Sequence, residues 1–243
     1  MHKLMLNEVS GYDTDSASFA PITADFSGLN LIGIVADLEE TAVSLLRIIA
    51  GLMRPAAGEV LYDGSDIYSL TEEKRSKMMR KTGYIFDTGG LISNLMVMEN
   101  VCIPYDFVHP GNNYEQKMER IRSLLHIFDI DENILQKRPS MLNKGEVKMI
   151  NYVRTYAPQP EIVFIEAPLS KVNKLREHIV EQFILDLALG EGVTHFFAAQ
   201  RFSSLVNYAD AIIAIKKEEA TFFKKEDDIR NSFNFREFFD LED

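Results

Sequence analysis

Short runs of apolar residues alternate along the chain with segments in which apolar residues recur at every third or fourth position. A short apolar run between turn signals is typical of a buried strand, and the longer spacing is typical of an amphipathic helix. Buried strands are predicted in this way at residues 29–35, 58–64, 82–86, 162–165, 194–198 and 211–215. Strands that alternate with helices build βαβ units, so the pattern predicts an α/β fold with a mostly parallel core sheet.

Helices are predicted where apolar residues share one face. This face comprises Ala42, Leu45, Leu46, Ile49 and Met53 in the first helix, Tyr114, Met118, Ile121, Leu124, Leu125 and Phe128 in a central helix, and Leu175, Ile179, Phe183 and Leu187 in a later one. Residues 71–80 carry many charges and predict a surface helix. Each apolar face is expected to pack on the sheet or on a neighbouring helix.

Helical patterns dominate residues 90–158 and predict a helical subdomain inserted into the α/β core. Residues 1–243 are interpreted as one domain with this insertion and a β-rich N-terminal part. The C-terminal segment, at about 225–243, carries four Phe within seven residues. This segment is predicted to dock on the fold, because an apolar tail left in water adheres to other surfaces.

The composition narrows the function classes. The 243 residues include 26 Lys and Arg and 37 Asp and Glu, which gives a net charge of −11. This balance argues against a nucleic-acid partner, whose binding requires a basic face. One cysteine cannot form an intrachain disulfide, and no signal peptide or membrane span is recognised, so a cytoplasmic chain is expected.

Four strings of the sequence, taken in order, resemble parts of ATP-binding-cassette (ABC) ATPases. SLLRIIAGLMRPAAGEVLYDGSDI is similar to the segment after the family's phosphate loop, and FDTGGLISNLMVMENVCIP is similar to its Q-loop region. RPSMLNKGEVKMINYVRTYAPQ stands where the signature motif and its helix belong, and PEIVFIEAPLSKVN resembles the Walker B strand and the loop after it. The Q-loop string resembles the form found in ATPases of lipid-trafficking transporters associated with mammalian-cell-entry (Mce) proteins. The resemblance covers nearly the whole chain and implies the P-loop fold of an ABC nucleotide-binding domain.

The residues that hold ATP in this family are missing from the matching positions. A phosphate loop reads GxxxxGK[ST], because glycines admit the phosphates to backbone N–H groups, the lysine neutralises them and the hydroxyl binds Mg²⁺. The vestigial loop here comprises Ala36, Asp37, Leu38, Glu39, Glu40, Thr41, Ala42, Val43 and Ser44. The glycines, the lysine and the first hydroxyl are replaced, and each of the three carboxylates costs about 1–4 kcal/mol against a nearby phosphate charge. No cofactor and no metal are therefore expected in this chain, although weak nucleotide binding through a ring near Tyr12 stays an alternative.

The other motifs depart from the family's pattern as well. At Walker B, the Mg²⁺-associated Asp corresponds to Glu166, and the catalytic Glu corresponds to Ala167, which cannot accept a proton. The Q-loop Gln corresponds to Asp87 and the switch His to Gln200. The signature motif, usually LSGGQ, reads Leu142, Asn143, Lys144, Gly145, Glu146. No catalytic residue is therefore assigned.

The altered loop favours a longer first helix. Asp37 is a strong N-cap residue, and Glu40 three positions later completes the pattern of a capping box. Glu39 adds a favourable charge in the first turn. We expect the helix to begin near Leu38, with its own carboxylates in the place of the anion; the alternative is an irregular loop with these carboxylates in water.

The resemblance implies a subunit that pairs with a homologous ABC ATPase, as a homodimer or heterodimer, and works on a transmembrane permease at the inner face of the membrane. The hypothesis is a catalytically degenerate subunit, a pseudo-ATPase, serving as a structural or regulatory half in lipid trafficking. Its signature motif is expected to close over ATP bound by the partner, through the Gly145 N–H, the Asn143 amide and the Lys144 charge. The alternatives are a functional ATPase of low turnover and a soluble ABC-like scaffold.

Overall fold

The structure is a computed structural model, and it describes residues 3–11, 19–199, 204–216 and 219–225. The chain forms two compact units. The first unit comprises described residues within 1–76, 164–167 and 194–243, and the second comprises 77–163 and 168–193. Beyond Lys225, the predicted C-terminal docking segment lies outside the described residues.

The first unit contains two sheets. An antiparallel sheet has the strand order β2-β1-β4-β5, from β1 (Leu4–Ser10), β2 (Ile22–Asp25), β4 (Ala57–Tyr62) and β5 (Ser65–Asp66). The second sheet contains β3 (Leu31–Ala36), β8 (Thr194–Ala198), β9 (Ala211–Lys216) and β10 (Glu219–Lys224), and it continues into the end of β7 (Ile162–Glu166). In this sheet β3 is parallel to both β8 and β9, while β10 pairs with β9 in the antiparallel sense. The predicted parallel core and β-rich N-terminal part are confirmed.

Helix α1 (Glu39–Ile49) covers the parallel strands of this unit. Its buried residues include Leu45, Leu46, Ile48 and Ile49, each at most 2% exposed, and the helix packs on β3 and β8. This is the predicted apolar face, except that the helix ends before Met53. Burying a leucine or isoleucine side chain contributes about 1.5–3 kcal/mol, so this face fixes α1 on the sheet.

The second unit is mainly helical. Its elements are β6 (Thr82–Ile85), α3 (Val97–Val108), α4 (Tyr114–Ile127), 3₁₀ turns at Glu132–Gln136 and Pro139–Met141, α5 (Lys144–Tyr156), the start of β7, α6 (Lys174–Asp186) and a π-helical turn at Leu187–Glu191. Helix α2 (Glu72–Met79) spans the point where the chain leaves the first unit. Helices α3, α4 and α5 lie within the segment 90–158 that the sequence predicts as helical.

The face predicted to be buried in α6 is buried only in part. Val180 and Ile184 of this helix are buried, whereas Leu175 is 63% exposed. Phe183 of the predicted face packs edge-on against Phe128 and Tyr156, with ring centroids 4.8 and 4.9 Å apart, and Leu187 is buried. Two apolar stripes overlap in this segment, and both contribute to the packing. None of the helices in the described part of the chain combines the length and the apolarity that crossing a membrane requires.

Candidate functional site

The segment that matches the phosphate loop is mostly helical. Strand β3 ends at Ala36, the Asp37 N–H donates to the Ile215 carbonyl at 3.1 Å, and α1 begins at Glu39. The helix therefore starts three residues before Ala42, which stands at the position of the family's lysine. The predicted extension of the helix is confirmed, and the irregular-loop alternative does not describe this segment.

The predicted capping box was wrong. Leu38 occupies the N-cap position with an extended backbone, and no side chain caps the helix there. Asp37 lies one residue too early, because its N–H bond to Ile215 keeps it beside the sheet. Glu39 and Glu40 still lie in the first turn, where carboxylates favour the helix dipole.

A pocket of about 210 Å³ lies at this helix start and is lined by Ala36, Asp37, Leu38, Thr41 and Ile215. The side chains of its lining offer one carboxylate, one hydroxyl and apolar groups, and none of them is a lysine or an arginine, whereas a nucleotide phosphate requires a cation beside the N–H groups of a helix start. The residues present do not fit the phosphates of ATP.

Glu166, at the Walker B position, is held by an arginine of the same unit. The Arg47 guanidinium donates from Nε to Glu166 Oε1 at 2.8 Å, and its Nη2 lies 2.7 Å from the same oxygen. The Glu166 side chain is 5% exposed and that of Arg47 is 43% exposed. The extra methylene of Glu relative to Asp lengthens its reach toward α1. A charge-assisted pair therefore engages the carboxylate that the family uses near Mg²⁺.

Ala167 follows on the same strand end with a φ of +40°, and its N–H donates to the Ala198 carbonyl at 2.9 Å. Its methyl group has no proton acceptor, so the absence of a catalytic carboxylate at this position stands as the sequence indicates. Gln200 and Tyr12 lie outside the described residues.

Asp87 stands at the Q-loop position, in the second unit, and its carboxylate contacts two lysines and a serine. Ser170 Oγ and Lys171 Nζ both donate to its carboxylate, and Lys148 Nζ lies 3.7 Å away. Burial favours the neutral acid, but the hydrogen bonds from Lys171 and Ser170 together with the Lys148 charge hold the pKa of Asp87 below its usual value. An anionic side chain thus stands where the family has a neutral amide.

The signature residues form the start of α5. Asn143 caps this helix by accepting the Glu146 N–H at 2.9 Å, while the Glu146 carboxylate accepts the Asn143 N–H at 2.8 Å. Leu142 precedes the cap, and Lys144 is exposed in the first turn. The carboxylate of Glu146 therefore occupies a helix terminus that otherwise attracts anions.

Gly145 has a packing role. A Cβ placed on it would lie 3.0 Å from the Lys171 carbonyl oxygen, so a side chain at this position requires the loop after β7 to shift by a few tenths of an ångström. This close approach gives a packing reason for the glycine at position 145.

The side chains that pair with Glu166 and Asp87 were not identified from the sequence. Arg47, Lys148, Ser170 and Lys171 were not singled out, since each pairs with a residue that is distant along the chain. A lysine at position 148 between apolar neighbours was the available signal for a buried charge. Among the described residues, no three His, Cys, Asp or Glu side chains form a cluster able to hold a metal ion.

Comparison with known proteins identifies the class. The model of the ABC transporter family matches residues 43–170, more than half of the chain. The chain belongs to this family. The matched range begins after Ala42, so most of the vestigial phosphate loop lies outside it.

Curated relatives are ATP-binding proteins of import and export systems. The phosphonates import ATP-binding protein PhnC of Fusobacterium nucleatum is 22% identical over 213 residues, which cover 84% of this chain and 86% of that protein. The carnitine transport ATP-binding protein OpuCA of Listeria monocytogenes is 24% identical over 190 residues, covering 78% of this chain and 47% of that protein. The lipoprotein-releasing system ATP-binding protein LolD of Syntrophus aciditrophicus is 26% identical over 171 residues, covering 70% and 74%. The chain spans most of some of these relatives and about half of others.

Solved structures confirm the fold. A dimeric bacterial ABC transporter cassette superimposes with a TM-score of 0.81 at 21% identity, covering 91% of this chain and 98% of that one. The ATP-binding subunit of an ABC transporter gives a TM-score of 0.78 at 18% identity and covers 97% of both chains. The chain therefore has the α/β fold of an ABC cassette.

Proposed function

We propose that this chain is a pseudo-ATPase subunit of an ABC transporter, which neither binds nor hydrolyses ATP by itself. The observation that carries the proposal is the start of α1 at Glu39, which replaces the phosphate loop with a helix and three nearby carboxylates. The Arg47–Glu166 pair supports it, since the Walker B carboxylate already has a cationic partner. Ala167 removes the group that activates water in the family.

The proposed partners are a transmembrane permease and a homologous ABC ATPase with an intact site, in a heterodimer or a homodimer at the inner face of the membrane. Support comes from the relatives, which include a dimeric cassette and named import and export subunits. The exposed Lys144 at the start of α5 offers a positive charge to ATP bound by such a partner. Lipid trafficking is the proposed process, from the similarity of residues 86–104 to the Mce-associated ATPases.

Isothermal titration of the purified chain with Mg-ATP tests the proposal. We expect a dissociation constant weaker than about 1 mM, which corresponds to a binding free energy smaller than about 4 kcal/mol. Ala167→Glu should restore neither binding nor hydrolysis, because the phosphates still have no cradle. Micromolar binding by the wild-type chain would instead support the functional ATPase of low turnover. Failure to co-purify with any membrane permease would favour the soluble scaffold.

A further inference from the structure

The connection between β6 and α3, residues 86–96, is held by side chains from one face of α5. Lys148, Asn151 and Arg154 recur at intervals of three, so they follow one another along that face. Lys148 faces Asp87, the Asn151 amide donates to the Gly89 carbonyl at 2.7 Å, and Arg154 donates to the Gly90 carbonyl. Asp87, Gly89 and Gly90 of the connection are therefore contacted in order along the helix.

The same connection is also fixed at the start of α3. Asn100 is fully buried, its Oδ1 accepts the Ile92 N–H at 2.6 Å, and its amide donates to the Ile92 carbonyl at 3.1 Å. A side-chain amide that satisfies both backbone groups of one residue replaces the pairing that a strand supplies. Ile92 is therefore held between Asn100 and the contacts at Asp87–Gly90.

Asp87 joins three segments of the second unit. Its carboxylate contacts Lys148 of α5, which is 1% exposed, and Ser170 and Lys171 of the loop after β7. Lys171 Nζ also donates to the Asp87 carbonyl at 2.9 Å. A buried lysine charge is costly unless a carboxylate lies near it, so Asp87 stabilises the charge of Lys148.

We propose that Asp87, Lys148, Ser170 and Lys171 form a charge clasp that fixes the β6–α3 connection and the loop after β7 on α5 without nucleotide. The clasp rests on the proposed function, because a subunit that binds no ATP requires another source of order for these segments. With this clasp, the conformation of the β6–α3 connection does not depend on bound nucleotide. The exposed apolar residues that follow it on α3 are then presented in one fixed arrangement.

Hydrogen–deuterium exchange on the full-length chain tests the clasp, read at the Ile92 amide with and without Mg-ATP. In the wild-type chain, exchange should be slow and unchanged by Mg-ATP. Asp87→Asn should speed exchange at Ile92 by about tenfold or more, because it removes the carboxylate that anchors the connection. Lys171→Met, which leaves the Asp87–Lys148 pair in place, should speed it by about threefold.

The matched control is Asp106→Asn, which breaks the pair of Asp106 and Lys117 elsewhere in the same unit, where Nζ and Oδ1 lie 2.7 Å apart. It should leave exchange at Ile92 unchanged. Wild-type rates in both Asp87→Asn and Lys171→Met would overturn the clasp, and so would a change of exchange with Mg-ATP in the wild-type chain. If Mg-ATP bound in the titration while exchange stayed the same, the pseudo-ATPase proposal would fail and the clasp would stand.

Discussion

At the scale of single residues, the pair of Arg47 and Glu166 joins a buried carboxylate to a half-exposed guanidinium. Removing one member of such a pair costs more than the pair contributes, because the remaining charge stays buried without its counter-ion. Arg47→Ala should lower the free energy of unfolding by about 1–3 kcal/mol, since water reaches the exposed side and limits the loss. Denaturant unfolding measures this change.

The control for this substitution is Lys81→Ala. Lys81 Nζ lies 3.0 Å from Glu161 Oε1, and both side chains are about half exposed. Exposed pairs of this kind contribute about 0–1 kcal/mol, so the control should be nearly neutral. If Arg47→Ala and Lys81→Ala lowered the free energy of unfolding equally, burial of Glu166 would not determine how much the Arg47–Glu166 pair contributes.

Asp87 makes stability depend on pH in a definite direction. Its carboxyl has a lowered pKa in the folded chain and an ordinary pKa, near 3.8, when unfolded. The folded state therefore gains stability that is present in full above that ordinary value and is lost as the pH falls through the folded pKa. Asp87→Asn should reduce the free energy of unfolding at neutral pH. Below about pH 4, the free energy of unfolding of this variant should fall less steeply with pH than that of the wild-type chain. Urea unfolding across this pH range measures the free energy of unfolding of both proteins. If the slope of this free energy against pH were the same in both, the pH dependence would not come from Asp87.

At the scale of elements, helix α1 lacks a side-chain cap, and this defect can be repaired. Leu38 is its N-cap and is 50% exposed, so a serine at this position fits without disturbing the core. Leu38→Ser should raise the free energy of unfolding by about 0.5–1 kcal/mol, because its hydroxyl can accept a first-turn N–H. Thermal unfolding, compared with the wild-type chain, measures the gain.

Helix α4 supplies the opposite control. Asn113 caps it by accepting the Glu115 N–H at 2.9 Å, so Asn113→Ala should cost about 0.5–2 kcal/mol. If Leu38→Ser had no effect while Asn113→Ala was destabilising, the start of α1 would not be a helix terminus that a side chain can cap.

Elements with a single apolar stripe were predicted well from the sequence, and those with competing signals were predicted only in part. Strand β8 lies at the predicted residues 194–198, because it is an uninterrupted apolar run. The buried face of α6 was predicted only in part: Phe183 packs as predicted, whereas Leu175 is exposed and the neighbouring Val180 is buried. The proposed loss of the phosphate-binding loop was inferred from residue types alone, but the pairing partners could not be inferred in this way: Arg47 and Glu166 are 119 positions apart, and Asp87 and Lys171 are 84 apart.

At the scale of the whole molecule, the net charge of −11 opposes a polyanionic ligand only weakly. At physiological ionic strength, charges in water are screened beyond about 8 Å, so distant carboxylates contribute little to the repulsion of ATP. Asp37, Glu39 and Glu40 belong to the segment that matches the phosphate loop. Their charges would therefore repel a phosphate at short range, where screening is weak. The proposed exclusion of nucleotide is thus a local effect, and changing the overall charge of the surface should not restore binding.

The proposed attachment to a permease depends on exposed apolar residues of the second unit. Ile103 and Phe107 lie one turn apart on α3 and are 44% and 47% exposed. Leu95 and Met98, which also lie in the region with the family's pattern, are half-buried, so charges there would also disturb packing. Ile103 is therefore the better position for a test, because its side chain contributes less to the interior.

Ile103→Glu should reduce co-purification of the chain with its permease from detergent-solubilised membranes by about tenfold, since a carboxylate in an apolar contact loses its hydration without gaining a partner. Leu175→Glu is the matched control: Leu175 is 63% exposed on α6, and a charge there should leave co-purification intact. Unfolding measurements on both variants should match the wild-type chain, which separates lost binding from lost folding. Wild-type protein recovered free of any membrane protein, or equal losses in the two variants, would contradict docking through α3.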